Sequence, residues 1–128
     1  MAFIYCCVDR PESAIALLKE AFRHEPTPSP LQYSFLSTAY RLNGQYEKAI
    51  EVSLKSLSLY PDQLSEYLTL AACYLHLDRQ EEAKEAAENV LRLDPKFSLI
   101  YYESMEPYRN REVVDKYIST LRKAGLPD

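Results

Sequence analysis

Tyrosine recurs in this chain at an interval of 34 residues: Tyr33, Tyr67 and Tyr101 form one series, and Tyr40, Tyr74 and Tyr108 a second. Leu36 and Leu70, Ala49 and Ala83, Leu57 and Leu91, and Pro61 and Pro95 keep the same spacing. Upstream, Tyr5, Ala14 and Pro26 stand 35 residues before Tyr40, Ala49 and Pro61, which places a one-residue insertion between Thr27 and Pro30. A fixed interval of this length marks a stacked repeat, in which each unit buries its apolar face only against its neighbours.

Within a unit the apolar residues follow two helical stripes. Tyr33, Leu36, Ala39 and Tyr40 share one face of a first helix, and Tyr46, Ala49, Ile50, Ser53 and Leu57 share one face of a second. Gly44 falls between them, where the chain needs a left-handed residue, and the next unit places Asp78 there. Pro61 and Pro95 end the second helices. The spacing predicts helices over 1–8, 11–24, 30–42, 45–59, 64–76, 79–92, 98–106 and 110–124. With only two glycines in 128 residues, tight hairpins are not expected. Ala49 and Ala83 are small because two helices cross there; a larger side chain would overpack the crossing by about 1–3 kcal/mol.

The pattern resembles the tetratricopeptide repeat (TPR), W-x2-L-G-x2-Y, then A-x3-F, then P. Here it reads Tyr33-x2-Leu36-Ser37-x2-Tyr40, Ala49-x3-Ser53, Pro61, and next Tyr67-x2-Leu70-Ala71-x2-Tyr74, Ala83-x3-Ala87, Pro95. An aromatic stands for the tryptophan, and small residues stand for the glycine and the phenylalanine. The resemblance implies an all-α fold, a TPR-type antiparallel helix-turn-helix solenoid in a single domain over 1–128. Its repeats divide as a truncated first (1–28), a second (29–62), a third (63–96) and a degenerate capping repeat (97–128).

Little in the chain bears chemistry. The two glycines, Gly44 and Gly125, make no phosphate loop. His24 and His76 lack local acid or cysteine partners, and Cys6, Cys7 and Cys73 form no metal or redox motif. No catalytic, cofactor-binding or metal-binding residue is therefore assigned, and the chain is not expected to be an enzyme. A net charge of −4 gives no reason to expect nucleic acid, and the periodic tyrosines are read as repeat core rather than base-stacking platforms. The apolar opening Met1–Val8 is too short to span a bilayer, and unpaired thiols suit a cytoplasmic protein. That opening reads as the remnant of a cut repeat, with Phe3, Ile4 and Tyr5 expected to drive self-association through residues 1–24.

The expected function is protein binding. In TPR domains the first helix of each pair lines a concave groove, and by position its free face carries Ser34, Thr38, Arg41 and Leu42, then Leu68, Ala72, Leu75 and His76, and finally Tyr102. In the remnant the same face carries Phe3, Cys6 and Cys7. The occupant is a partner segment, another domain of the same protein, a second copy, or the chain's own final helix. Domains of this family that hold acidic C-termini use Lys and Asn on these helices. Thr38, Ala72, Leu42 and His76 stand at those positions, so an apolar segment is expected instead, with Leu68 and Leu75 central and Arg41 orienting it. Leu68→Glu is then expected to abolish binding and spare helicity. A structural spacer without a ligand is the alternative.

At the C-terminus Pro107 should stop a first helix early. Asn110 is placed to cap a last one with Val113, Val114, Tyr117, Ile118 and Leu121 on its buried side. The stretches Pro107–Asn110 and Leu121–Asp128, with the proline-rich joint Glu25–Pro30, resemble the TPR regions attached to bacterial class III adenylate/guanylate cyclases. That resemblance implies the C-terminal part of a larger bacterial signalling protein whose catalytic residues lie elsewhere.

Overall fold

The structure, a computed structural model, describes residues 11–104 and 111–128. The expected helix at 1–8, Phe3, Cys6, Cys7, Pro107, Tyr108 and the Asn110 cap lie outside those residues, as does the side chain of Val113. Among the described residues the fold is all-helical: α1 (Pro11–His24), α2 (Pro30–Leu42), α3 (Tyr46–Leu59), α4 (Leu64–His76), α5 (Gln80–Leu93), α6 (Leu99–Ser104) and α7 (Arg111–Lys123). Consecutive helices from α1 to α5 pack as antiparallel neighbours, and the first helices α2 and α4 also touch, as stacking of successive pairs requires.

Local chemistry sets the helix ends. Ser29 and Gln32 form a reciprocal capping box at the start of α2, the Ser29 amide donating to Gln32 Oε1 at 2.8 Å and the Gln32 amide to Ser29 Oγ at 3.2 Å. Pro30 then occupies a position whose amide has no helical partner anyway. The other end of α2 closes through Gly44, whose φ of 77° lets the Gln45 amide reach back to the Tyr40 carbonyl at 2.9 Å. One repeat later Asp78 takes the same left-handed turn with φ 60°, and the Arg79 amide donates to the Tyr74 carbonyl at 2.8 Å.

The crossing residues Ala14, Ala49 and Ala83 are each completely buried, in register with the period. Around them Leu36, Ala39, Tyr40, Leu70, Ala71, Cys73 and Val90 build one continuous core. Phe22 meets Tyr33 edge-on at 5.2 Å between centroids, and the Tyr60 hydroxyl donates to the Pro28 carbonyl at 3.0 Å, tying the inserted joint to the following unit.

The last unit departs from the tyrosine period. Tyr101 was expected in the core, but it and Ile100 are about two-thirds exposed, at 65% and 63%. Tyr102, one position further on, turns inward instead, with its ring 5.9 Å from Phe97 and 6.4 Å from Tyr117. The neighbours differ here from those of the earlier units: α7 packs against α4 as well as α6, and the Tyr102 ring faces Tyr117 of α7.

Candidate functional site

The candidate site is the face shared by the first helices α2, α4 and α6, and α7 lies on it. Val114, Tyr117, Ile118, Thr120 and Leu121 recur at helical spacing along α7, and all five are buried, Leu121 completely. Beyond the helix, Gly125 with φ 113° turns the chain, and the Leu126 amide donates to the Leu121 carbonyl at 3.3 Å. The tail then pairs with the start of α6. The Leu99 amide donates to the Pro127 carbonyl at 2.9 Å and Ser98 Oγ to the Asp128 carbonyl at 2.8 Å. Arg122 also pairs with the Asp128 carboxylate. Both the helix and its tail are thereby pinned.

The nine residues expected to line the groove sort by their relation to α7. Arg41 places its guanidinium 3.9 Å from the centre of the Tyr117 ring, a cation–π contact made out of water. Arg41, Leu42 and His76 border a cavity of about 140 Å³ together with Tyr46, Lys116, Tyr117 and Thr120, so α2, α4 and α7 meet there. Leu75 borders a neighbouring depression with Lys123, Ala124 and Gly125. Tyr102 meets Tyr117 edge-on. Leu68 and Ala72, each 1% exposed, lie in the same core as the apolar face of α7, whereas Ser34 and Thr38 are half-buried. Leu68 therefore does not stand off the core, and the expectation that Leu68→Glu spares helicity is corrected: a charge there would be buried.

Electrostatics reflect the same geometry. The His76 imidazole stacks on Tyr46 at 4.5 Å, and its pKa is lowered by burial and then by the positive charges of Lys116, Arg41 and Lys123. Two of these three cations come from α7 and its end. The Cys73 thiol, completely buried, is pushed up to about 12, chiefly by loss of hydration, so it is not a nucleophile near neutral pH.

Sequence reasoning missed one functional-looking group. Glu66 is fully buried, with Ser37 Oγ donating to its Oε1 at 3.3 Å. Neither its Oε2 nor Ser53 Oγ, which also pulls the carboxyl pKa down, has a fully formed hydrogen bond. Burial outweighs both hydroxyls and holds the Glu66 pKa above its ordinary value. Its place in the first turn of α4, beside solvent-facing Ser65, gave no sign of this in the sequence. No group of three or more His, Cys, Asp or Glu residues fit to hold a metal ion occurs among the described residues. No helix among them is long and apolar enough to cross a membrane.

The sequence model of the family described as anaphase-promoting complex, cyclosome, subunit 3 matches residues 10–90, the stretch holding α1 to α5 up to its last turn. The chain belongs to this family. Its fold is shared by two crystal structures of MamA, with TM-scores of 0.68 and 0.67. Each is 24% identical and aligns over 94% of this chain, which covers 70% of the first and 65% of the second. The family match and the shared fold make this a TPR-type helical solenoid, an architecture that serves as a scaffold for protein–protein interaction.

Proposed function

We propose that the domain binds an amphipathic helix of a partner protein across α2, α4 and α6, and that α7 holds that place in the isolated chain. One observation carries this reading: a helix with an apolar stripe of Val114, Tyr117, Ile118 and Leu121 lies buried on the face that the repeat pattern marks as the groove. The reading implies a preference for an aromatic anchor over Arg41, as Tyr117 supplies, and for aliphatic side chains beside it. In this reading Ser34, Thr38, Leu42, Leu75, His76 and Tyr102 form its borders. The amphipathic helix-in-groove mode draws affinity from such spaced anchors.

The test uses the full chain and a synthetic peptide of residues 111–128. The resident helix competes at high effective concentration, so the wild type binds the peptide weakly. Tyr117→Ala with Leu121→Ala in the chain loosens the resident helix and should strengthen peptide binding at least tenfold. Equal binding to both chains, or to neither, would sink the reading.

We infer a wider context from the tail resemblance alone: the interaction end of a larger, cytoplasmic bacterial signalling protein of the adenylate/guanylate cyclase kind. Homo-oligomerisation is the competing use, favoured by the exposed pair Ile100 and Tyr101. It predicts a mass in light scattering that rises with concentration and falls on Tyr101→Glu.

A further inference from the structure

The two junctions between successive helix pairs can be compared residue by residue, because the period gives each position of the first a counterpart in the second. At the first junction the chain covers its own tyrosines, Tyr33 and Tyr40. Phe22 packs on Tyr33, and Val52 lies half-buried on α3. The Tyr40 ring has Lys19 Nζ at 5.8 Å and Lys48 Nζ at 5.9 Å and is only 5% exposed.

At the second junction every one of these covering groups is changed. Leu57 stands where Phe22 stood, Ala86 where Val52 stood, and Leu54 and Glu82 where the two lysines stood. A smaller apolar side chain on α3 and a smaller one on α5 leave a hollow of about 410 Å³. Its floor is Leu57, Leu70 and Ala86, and Tyr67 and Tyr74 form its walls. Leu54 is 48% exposed at its edge, and Tyr74 is left half-buried. The rim has the opposite charge to the first junction. Glu82 and Glu85 border the hollow together with Tyr74. Beside it the Arg79 guanidinium, from the chain itself, lies 5.0 Å from the Tyr74 ring centre and pairs with Glu82.

We propose that this hollow on α3, α4 and α5 is a second docking surface, and that its occupant is a partner-protein segment presenting a bulky apolar side chain beside a lysine or arginine. The choice of occupant follows from charge complementarity and from the first junction, which shows the missing groups. Lys19 and Phe22, three residues apart on α1, are what the chain supplies for itself one repeat earlier. In the hollow the apolar ring replaces the volume lost at Leu57 and Ala86. The aliphatic stem of the cation runs along Leu54, and its head meets Glu85 and the open side of Tyr74. This surface lies apart from the groove that α7 occupies and does not depend on it.

The probe is an acetylated, amidated helical peptide carrying one Lys-x-x-Phe pair among alanine and glutamine. It is titrated into the full chain and followed by amide chemical shifts and calorimetry. Shifts should centre on Tyr74, Ala86 and Asn89, and the Glu-x-x-Phe and Lys-x-x-Ala peptides should bind at least tenfold more weakly. The double substitution Leu54→Lys, Glu82→Lys installs the covering pair of the first junction and should lower affinity at least tenfold. Ala86→Val, which refills the floor, should lower it about threefold. Leu54 and Glu82 lie at the surface, so the double variant keeps wild-type helicity by circular dichroism, which also checks that Ala86→Val, at a buried position, is folded. Unchanged affinity in the double variant, equal binding of the three peptides, or no binding at millimolar concentration would each overturn the proposal. So would a wild-type dimer that the double substitution dissociates, because the occupant would then be a second copy.

Discussion

The Arg41 guanidinium of α2 sits 3.9 Å from the centre of the Tyr117 ring of α7, and both residues are more than nine-tenths buried. Sequestration from water strengthens such a contact, because the cation exchanges little hydration for the ring face. Arg41→Met and Tyr117→Leu keep apolar bulk while removing the cation and the ring in turn. A double-mutant cycle in urea should give a coupling of about 1–2 kcal/mol. Additive effects would mean that α7 is not held on α2 by this pair.

Leu68 tests whether the groove face is covered. At 1% exposure it makes full van der Waals contact, and Leu68→Ala should cost about 2–5 kcal/mol in transfer and cavity terms. Leu68→Glu should unfold the chain at neutral pH, seen as lost helicity at 222 nm. A folded, fully helical Leu68→Glu protein would show that α7 does not rest there.

The helices were largely legible in the sequence, since predicted spans such as 64–76 match α4, and the crossing residues Ala14, Ala49 and Ala83 are buried as the period required. That regularity arises because each unit meets the same neighbours, so one pattern encodes one packing. Where the neighbours change, the pattern loses its meaning. Tyr101 keeps the spacing of Tyr33 and Tyr67, yet it is exposed, and Tyr102 is the ring that meets α7. The burial of Leu68 and Ala72 was illegible for the same reason. Their faces looked free within the repeat, yet both residues are buried, and α7, a segment far away in sequence, packs on the same helix.

Gly44 and Asp78 occupy the same left-handed turn one repeat apart, with φ of 77° and 60°. A side chain at that φ brings Cβ against the backbone, which costs about 1–2 kcal/mol even where, as at Gly44, the surrounding space is empty. Gly44→Ala should therefore destabilise by about 1 kcal/mol. Asp78→Gly should relieve the strain and stabilise by up to about 1 kcal/mol, less the extra freedom glycine gives the unfolded chain. Denaturation midpoints moving in opposite directions check the pair. A shift of the same sign in both would show that the two turns are not equivalent.

Glu66 gives the protein a pH dependence whose sign is fixed by burial. Its position in the first turn of α4 favours a negative charge through the helix dipole, and hydroxyls of Ser53 and Ser37 act the same way. Complete removal from water nevertheless dominates and raises the pKa from 4.5. The folded state therefore keeps this proton at pH values where the unfolded chain has lost it. The group's favourable contribution is full below pH 4.5, the unfolded value, and disappears as pH rises through the folded pKa. Glu66→Gln removes the charge while its amide oxygen still accepts from Ser37. Melting curves of the two chains should coincide near pH 4, with the variant becoming the more stable as pH rises to 8. Other carboxylates titrate alike in both chains and cancel in the difference. A gap that stays constant with pH, or a wild type that gains on the variant at high pH, would mean that Glu66 is ionised and paired in the folded protein.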